Sequence, residues 1–443
     1  MGTFKAGKGL AFAAGAVSLA LAMAACSSNP SDPTPGATNT GGTDDAPVSL
    51  TIATFNNFGY TDDLLQEYMD LHPNVTITHN IAAESGDART NYFAKLGTGG
   101  LADVEAIEID WVPEVMKYSD MLYDLSSDSV EGRWLDWKTA AATDPDGRLL
   151  GYGTDIGPEA ICYDASLFEK AGLPTDPTEV AALFAANGGG WDQYFEVGKQ
   201  YQAGGGKAFF DSAAGIWQAM INQLPAAYED PETGAIIAAD NPDVKNIFWQ
   251  VLEASKTLST HLAQWNGEAM ANQDFATMMC PGWMLGVIQG NAPDVTSWNV
   301  ADVFPGGGGN WGGSYLTVPA SGKNLEAAKA LADWLTAPEQ QLKAMANAGT
   351  VPSQVEVLDN KDALNEAFAS GDSPTKAEYF NSTTLGTIFS NRANAVTVSP
   401  FKGVNYVSVN DAFNNGLTRV DVDKSQTIQE AWDQAISEVK AIG

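Results

Sequence analysis

The chain has 443 residues and a formal charge of −32 at pH 7, from 55 acids against 23 lysines and arginines. Such a surface repels phosphate backbones and anionic headgroups, which excludes general nucleic-acid binding and a polybasic grip on lipid. Hydrophobic residues at 44% and aromatics at 10% suffice for packed cores, so wholesale disorder is excluded as well.

Residues 1–25 read as a secretory leader: Lys5 and Lys8 precede an uncharged run from Gly9 to Ala25 that is short for a membrane span and ends in small residues. It stops at Ala24-Ala25-Cys26, which is similar to a bacterial lipobox with Cys26 as the lipidated first mature residue. Met23 stands where the usual pattern has Leu, and ordinary cleavage leaving a free Cys26 is the alternative. Residues 26–47 are rich in Pro, Gly, Ser and Thr, lack apolar periodicity, and read as a disordered tether reaching on the order of 25 Å. No later segment is apolar for long enough to span a bilayer. The other cysteines, Cys162 and Cys280, belong to no Cys-x-x-Cys motif and read as two buried free thiols, with one disulfide as the alternative in an exported chain.

From Val48 the pattern becomes globular. Val48, Leu50 and Ile52 alternate as a strand, Asp62–Leu71 carries a helical stripe behind a Thr61 cap, and Val75, Ile77 and Ile81 alternate again. This is a βαβ unit and predicts a parallel sheet. A helix over 91–96 and a strand over 104–109 follow. Ligands of such sheets lie beyond the strand carboxyl ends, here Asn56-Asn57-Phe58-Gly59, Glu84-Ser85-Gly86 and Glu108-Ile109-Asp110-Trp111. Further on, Ala160-Ile161-Cys162-Tyr163 and 276–280 read as buried strands, and 194–203, 215–223, 245–258, 325–335 and 428–439 as helices. The glycine-rich stretch 306–313 reads as a long flexible turn.

Three blocks carry a resemblance. The first is Gly157-Pro158-Glu159-Ala160-Ile161-Cys162-Tyr163-Asp164 with Leu167-Phe168-Glu169-Lys170-Ala171-Gly172-Leu173-Pro174. The second is Met278-Met279-Cys280-Pro281-Gly282-Trp283, and the third runs from Pro305-Gly306-Gly307 through Gly312-Gly313-Ser314-Tyr315-Leu316-Thr317-Val318-Pro319 to Leu335. Their order and spacing are similar to those of the extracellular solute-binding proteins of ABC importers, in the carbohydrate group that includes the maltose-binding proteins. With Gly151-Tyr152-Gly153-Thr154-Asp155-Ile156 ahead of the first block, the chain resembles actinobacterial lipoproteins that take up plant-derived oligosaccharides.

The resemblance implies an α/β, two-lobe periplasmic-binding-protein-like fold with a hinge and an inter-lobe cleft. Lobe one would be 48–155 plus 314–350, and lobe two 156–313 plus 352–443. The chain would cross near 156–160, 313–316 and 351–353. It further implies a monomer lipid-anchored at Cys26 to the outer face of the cell membrane, an oligosaccharide ligand, and ABC permease subunits as partners. No cofactor or metal is implied; His72, His79 and His261 are the only histidines.

A pyranose presents apolar C–H faces and a belt of hydroxyls, so indoles and paired carboxylates or amides are the groups to seek. Trp283, Trp311 and Trp111 sit at strand ends or in glycine-rich turns, where helical packing does not explain them. Trp283 matches, by the resemblance, the position after Pro-Gly where family members stack a sugar ring. Trp191, after Gly188-Gly189-Gly190, is either a turn aromatic or a rim platform, whereas Trp249, Trp334 and Trp432 belong to amphipathic runs and are assigned to core. Asp110, Asn57 and Asp155 are the first polar candidates and Glu84, Glu108 and Glu159 the second; a solvated turn or a helix cap is the alternative for each. Few basic residues argue against phosphorylated or carboxylated sugars, leaving a neutral oligosaccharide. The rival from another class is an extracellular glycoside hydrolase using two of Glu108, Asp110, Asp155 and Glu159. The chain has no phosphate-binding loop, His-Glu-x-x-His or Gly-x-Ser-x-Gly motif.

Overall fold

A computed structural model describes residues 46–443. The leader, Cys26 and nearly all of the tether lie outside the described residues. Eleven strands occur in chain order among the described residues: β1 Val48–Phe55, β2 Val75–Ala82, β3 Val104–Glu108, β4 Tyr152–Gly153, β5 Asp155–Ile156, β6 Glu159–Asp164, β7 Ala208–Phe210, β8 Phe275–Pro281, β9 Trp298–Ala301, β10 Ser314–Thr317 and β11 Val351–Pro352.

They build two main sheets. The first has the order β2-β1-β3-β10-β4, the second β7-β8-β6-β9. β1 and β2 pair in parallel from Val48↔Val75 to Phe55↔Ala82, and the helix Asp62–Leu71 between them starts where the Thr61 hydroxyl accepts the Leu64 amide. A parallel sheet is expected from the βαβ pattern, and β2, β1 and β3 obey it. The rest of the sheet does not: β10 runs antiparallel to both β3 and β4. The second sheet is also mixed, with β6 antiparallel to β8 and β9, and β7 parallel to β8. Alternation fixes which face a strand buries but not the direction of a partner that arrives from far along the chain.

Each sheet has its own core. Leu50, Ile52, Val104, Ile107 and Leu316 pack beneath the first. On the second, β6 is buried on both faces: Ile161 and Tyr163 join one cluster with Trp217 and Phe413, and Ala160 and Cys162 join another with Met278 and Leu285. Helix Ile428–Val439 presents Ala431, Trp432, Ala435 and Val439 to the first of these, behind a Thr427/Glu430 capping box.

The cysteines differ from the sequence reading. Cys162 on β6 and Cys280 on β8 form a disulfide with Cα atoms 5.5 Å apart. Burial suits a free thiol and a half-cystine equally, and the pairing register that brings the two sulfurs together is set by strands 118 residues apart.

The polypeptide leaves the first sheet after β4, forms β5, and enters the second at β6; it returns between β9 and β10. β11 pairs antiparallel with β5, Val351 opposite Ile156, so two of the connecting segments are bonded to each other. Backbones run close here. A Cβ on Gly157 would stand 1.7 Å from the Trp311 carbonyl oxygen; Gly313, at φ +126°, would place one 2.8 Å from the Asp155 carbonyl oxygen. Only glycine fits both. The stretch 306–313 is likewise pinned rather than free: Gln223 donates to the Pro305 and Gly308 carbonyls and Arg392 to that of Gly307. No helix of the described residues is long and apolar enough to cross a membrane.

Candidate functional site

A cleft of about 770 Å³ opens where the two sheets face each other, a size typical of small-ligand sites. One wall is made by the carboxyl ends of β1, β2 and β3, which bring Asn57, Glu84, Glu108, Asp110 and Trp111 to it. The facing wall carries Trp265, Trp283 and Trp311 and the start of the helix Tyr406–Asp421. Asp155 and the Gly312-Gly313-Ser314 segment line the cleft from the connections between the sheets.

The three indoles form one continuous wall. Trp283 meets Trp311 edge to face at 5.8 Å and 88°, and Trp265 at 5.6 Å and 80°. Trp265 and Trp311 lie 5.8 Å apart at 33°. Trp283 is oriented by its indole N–H, which donates to the Trp311 carbonyl at 3.0 Å, and Trp311 is fixed in turn by its amide on the Gly157 carbonyl at 2.7 Å. The aromatic wall is thus tied to the connection between the sheets. Trp111 differs: it is 2% exposed, packs edge-on against Tyr92 and Phe93, and donates to Ser85 Oγ at 3.1 Å.

The polar candidates divide by environment. Asn57 and Glu84 are exposed at strand ends, Asn57 Oδ1 accepting the Gly59 amide at 3.3 Å. Asp155 is buried and accepts from Thr154 Oγ1 at 2.9 Å and the Ser314 amide at 3.0 Å. Burial raises its carboxyl above the ordinary value, against the pull of Lys138. Burial, with Asp110 beside it, pushes the Glu108 carboxyl up to about 8, opposed by Lys402 and Lys138. Lys138 itself lies fully buried 3.8 Å over the Tyr315 ring, and burial pushes its ammonium down to about 7. Asp110 is ion-paired with Lys402. A cleft rich in acids is therefore less negative at neutral pH than its composition suggests, and a protonated carboxyl donates as well as accepts.

Two candidates stand outside the lining. Glu159 is fully buried with neither carboxylate oxygen hydrogen-bonded, and burial raises it well above the usual carboxylate range. Trp191 packs on the second sheet's core and donates to Gln223 at 2.8 Å. Sequence reasoning missed Trp265, which lies outside any amphipathic helix beside Asn266-Gly267 and satisfies the criterion applied to Trp283. It also missed Gln264, Thr350 and Asn414, whose buried Nε2, Oγ1 and Oδ1 atoms line the cleft with no hydrogen-bond partner among the described residues. Nothing in a single sequence marks those three.

Two α/β bodies joined by several short connections, with an aromatic and polar cleft between them, define a two-lobe binding-protein fold. The chain belongs to the bacterial extracellular solute-binding proteins, whose family model matches residues 63–370. It is 44% identical to a solved structure described as an extracellular solute-binding protein of family 1, with a TM-score of 0.76 over 89% of this chain and 99% of that one. Two more distant structures share the fold. The ABC transporter associated binding protein from B. animalis subsp. lactis Bl-04, in complex with β-1,6-galactobiose, is 18% identical with a TM-score of 0.72, over 89% of this chain and 96% of that one. The galacto-N-biose-/lacto-N-biose I-binding protein of Bifidobacterium longum, in complex with lacto-N-biose, is 15% identical with a TM-score of 0.69, over 90% and 98%. A comparison with curated proteins finds no match.

Proposed function

We propose that the protein binds a neutral oligosaccharide in this cleft outside the cell, closes around it and delivers it, chemically unchanged, to an ABC permease. One observation carries the reading: a continuous wall of three indoles faces carboxyl and amide groups across a single cleft. Indoles cover the C–H faces of a sugar; raised carboxyls and the unpaired Gln264, Thr350 and Asn414 groups supply both donors and acceptors for its hydroxyls. The sugars named in the two distant structures point to the same ligand class. Trp283, Trp311, Trp265, Glu108, Asp155, Asn57 and Glu84 are the contact set in this reading, with Trp111 bracing the wall behind Glu84 and Ser85. A β-linked glucan or xylan fragment is the ligand proposed by resemblance.

The lobes in this reading are 48–155 with 314–350 and 156–313 with 352–443, hinged at the connections around Ile156, Gly313 and Val351. A ligand that touches both lobes favours the closed arrangement because it has contacts there that the open one lacks. Lipidation at Cys26 would anchor a monomer to the outer face of the cell membrane, and hydrolysis plays no part. Incubating the protein with neutral oligosaccharides and weighing the sugars by mass spectrometry tests this: bound sugar returned at its starting mass supports the reading, and shortened products would replace it with the hydrolase.

A further inference from the structure

We infer that Lys402 is a positioning residue that latches the cleft shut: its ammonium, carried by the second-sheet body, holds the Asp110 carboxylate of the first. The inference rests on the two-lobe reading and adds a residue that neither the sequence nor the proposed contact set supplies. Asp110 follows β3 at the carboxyl end of the first sheet. Lys402 precedes the helix Tyr406–Asp421, in a segment fixed to the second-sheet side by the Phe401 amide on the Pro225 carbonyl at 2.8 Å. Lys402 Nζ donates to Asp110 Oδ1. The ammonium also lies 4.7 Å from the Tyr406 ring centroid, so its position is set from its own side before it reaches across.

The surroundings of this pair single it out. The Lys402 side chain is 6% exposed and the Asp110 side chain 21%, which shields the pair from the screening that weakens surface ion pairs. Lys402 also acts on Glu108, together with Lys138, and on Glu159, so its ammonium bears on three carboxyl groups. Val407, one turn along, packs against both the first-sheet core and the second-sheet core. Arg89 of the first body likewise acts on Asp411 of this helix. The start of the helix Tyr406–Asp421 is therefore a place where one body grips the other across the cleft, and Lys402–Asp110 is its charged contact. Asp110, expected to read sugar hydroxyls, is engaged by protein instead.

An ion pair that exists only in the closed arrangement raises the closed fraction, and a sugar that needs both walls binds only that fraction. Small-angle scattering of the sugar-free protein and calorimetric titration with short β-glucan and xylan fragments test the latch in Lys402→Met, Asp110→Asn, the double variant and Lys402→Arg. The expected result is a larger radius of gyration in Lys402→Met and Asp110→Asn, no further rise in the double variant, and a wild-type value in Lys402→Arg. Affinity falls at least about fivefold in the two opened variants, within the usual range of coupling between two states. The scattering arm uses no sugar, so it decides on the latch even if the ligand class is wrong. An unchanged radius in both single variants would overturn the inference, as would tighter sugar binding by Lys402→Met, which would mean that the lysine competes with ligand for Asp110. Should Lys402→Met fail to fold, Asp110→Asn alone decides.

Discussion

Trp283 does two things at once, offering a face to the cleft and holding the Trp311 carbonyl through its indole N–H. Its position at the end of β8 is fixed by backbone, with Pro281 already in the sheet. Trp283→Ala should therefore keep the fold and lose sugar affinity. Removing a buried aromatic face costs about 1.5–3 kcal/mol, or at least about tenfold in Kd. Circular dichroism and calorimetry together check this; retained affinity would remove stacking from the account. Glu105 makes stability depend on pH. It is 8% exposed on β3 and accepts the Ala102 amide, and burial pushes its carboxyl from an ordinary value near 4.5 up to about 7. The folded state then holds a proton that the unfolded state releases. Its contribution to stability is complete below about pH 4.5 and is lost as pH rises through 7, by on the order of 3 kcal/mol. Glu105→Gln keeps the acceptor and removes the proton. Its melting temperature should fall less than wild type between pH 4.5 and 7; parallel curves would contradict the assignment. At this scale the sequence was partly legible. An indole outside any amphipathic stripe is visible as such, which identified Trp283 and Trp311 and should have identified Trp265. A lone Lys402 between Phe401 and Gly403 carries no local pattern, and its meaning comes only from the carboxylate that the fold brings to it.

Most elements were readable because their signals are local. The stripe over the helix Leu325–Leu335, the cap at Thr61 and the alternation of β1 and β2 each sit within one turn or one strand. Pairings between distant elements were not. The Cys162–Cys280 bond and the antiparallel entry of β10 depend on contacts over 100 residues or more, to which composition and periodicity are blind. The disulfide closes a loop of 118 residues between two strands already paired in a sheet. Chain-entropy reasoning gives about 4–5 kcal/mol for a loop of that size. Thiol reductant, or Cys162→Ala with Cys280→Ala, should lower the urea midpoint without changing the far-ultraviolet spectrum at zero denaturant; an unchanged midpoint would contradict it. The connecting segments make a different demand. Gly313 combines φ +126° with a close approach to the Asp155 carbonyl and to Lys138 Nζ. Gly313→Val must therefore displace one connection, and sugar affinity should fall more steeply than stability, because the hinge rather than either core is disturbed.

For the whole molecule, a −32 chain builds two α/β bodies whose shared cleft holds two carboxyls, Glu108 and Asp155, that burial raises above their ordinary values. The two-lobe architecture followed from a family resemblance spread over three blocks; βαβ periodicity alone led to a parallel sheet. Charge sets the expected partners: an uncharged ligand is repelled by nothing here, whereas an anionic one would have to approach a −32 chain with Glu84 exposed at the cleft. A thermal-shift titration of the protein against neutral oligosaccharides, with phosphorylated sugars, amino acids and peptides alongside, addresses the central claim most directly. Saturation at one hundred times Kd adds about 2.7 kcal/mol to the folded state, so one neutral glycan series should raise the melting temperature in a concentration-dependent way while the charged solutes leave it unmoved. A shift from an anion, amino acid or peptide, with every neutral glycan silent, would contradict the account.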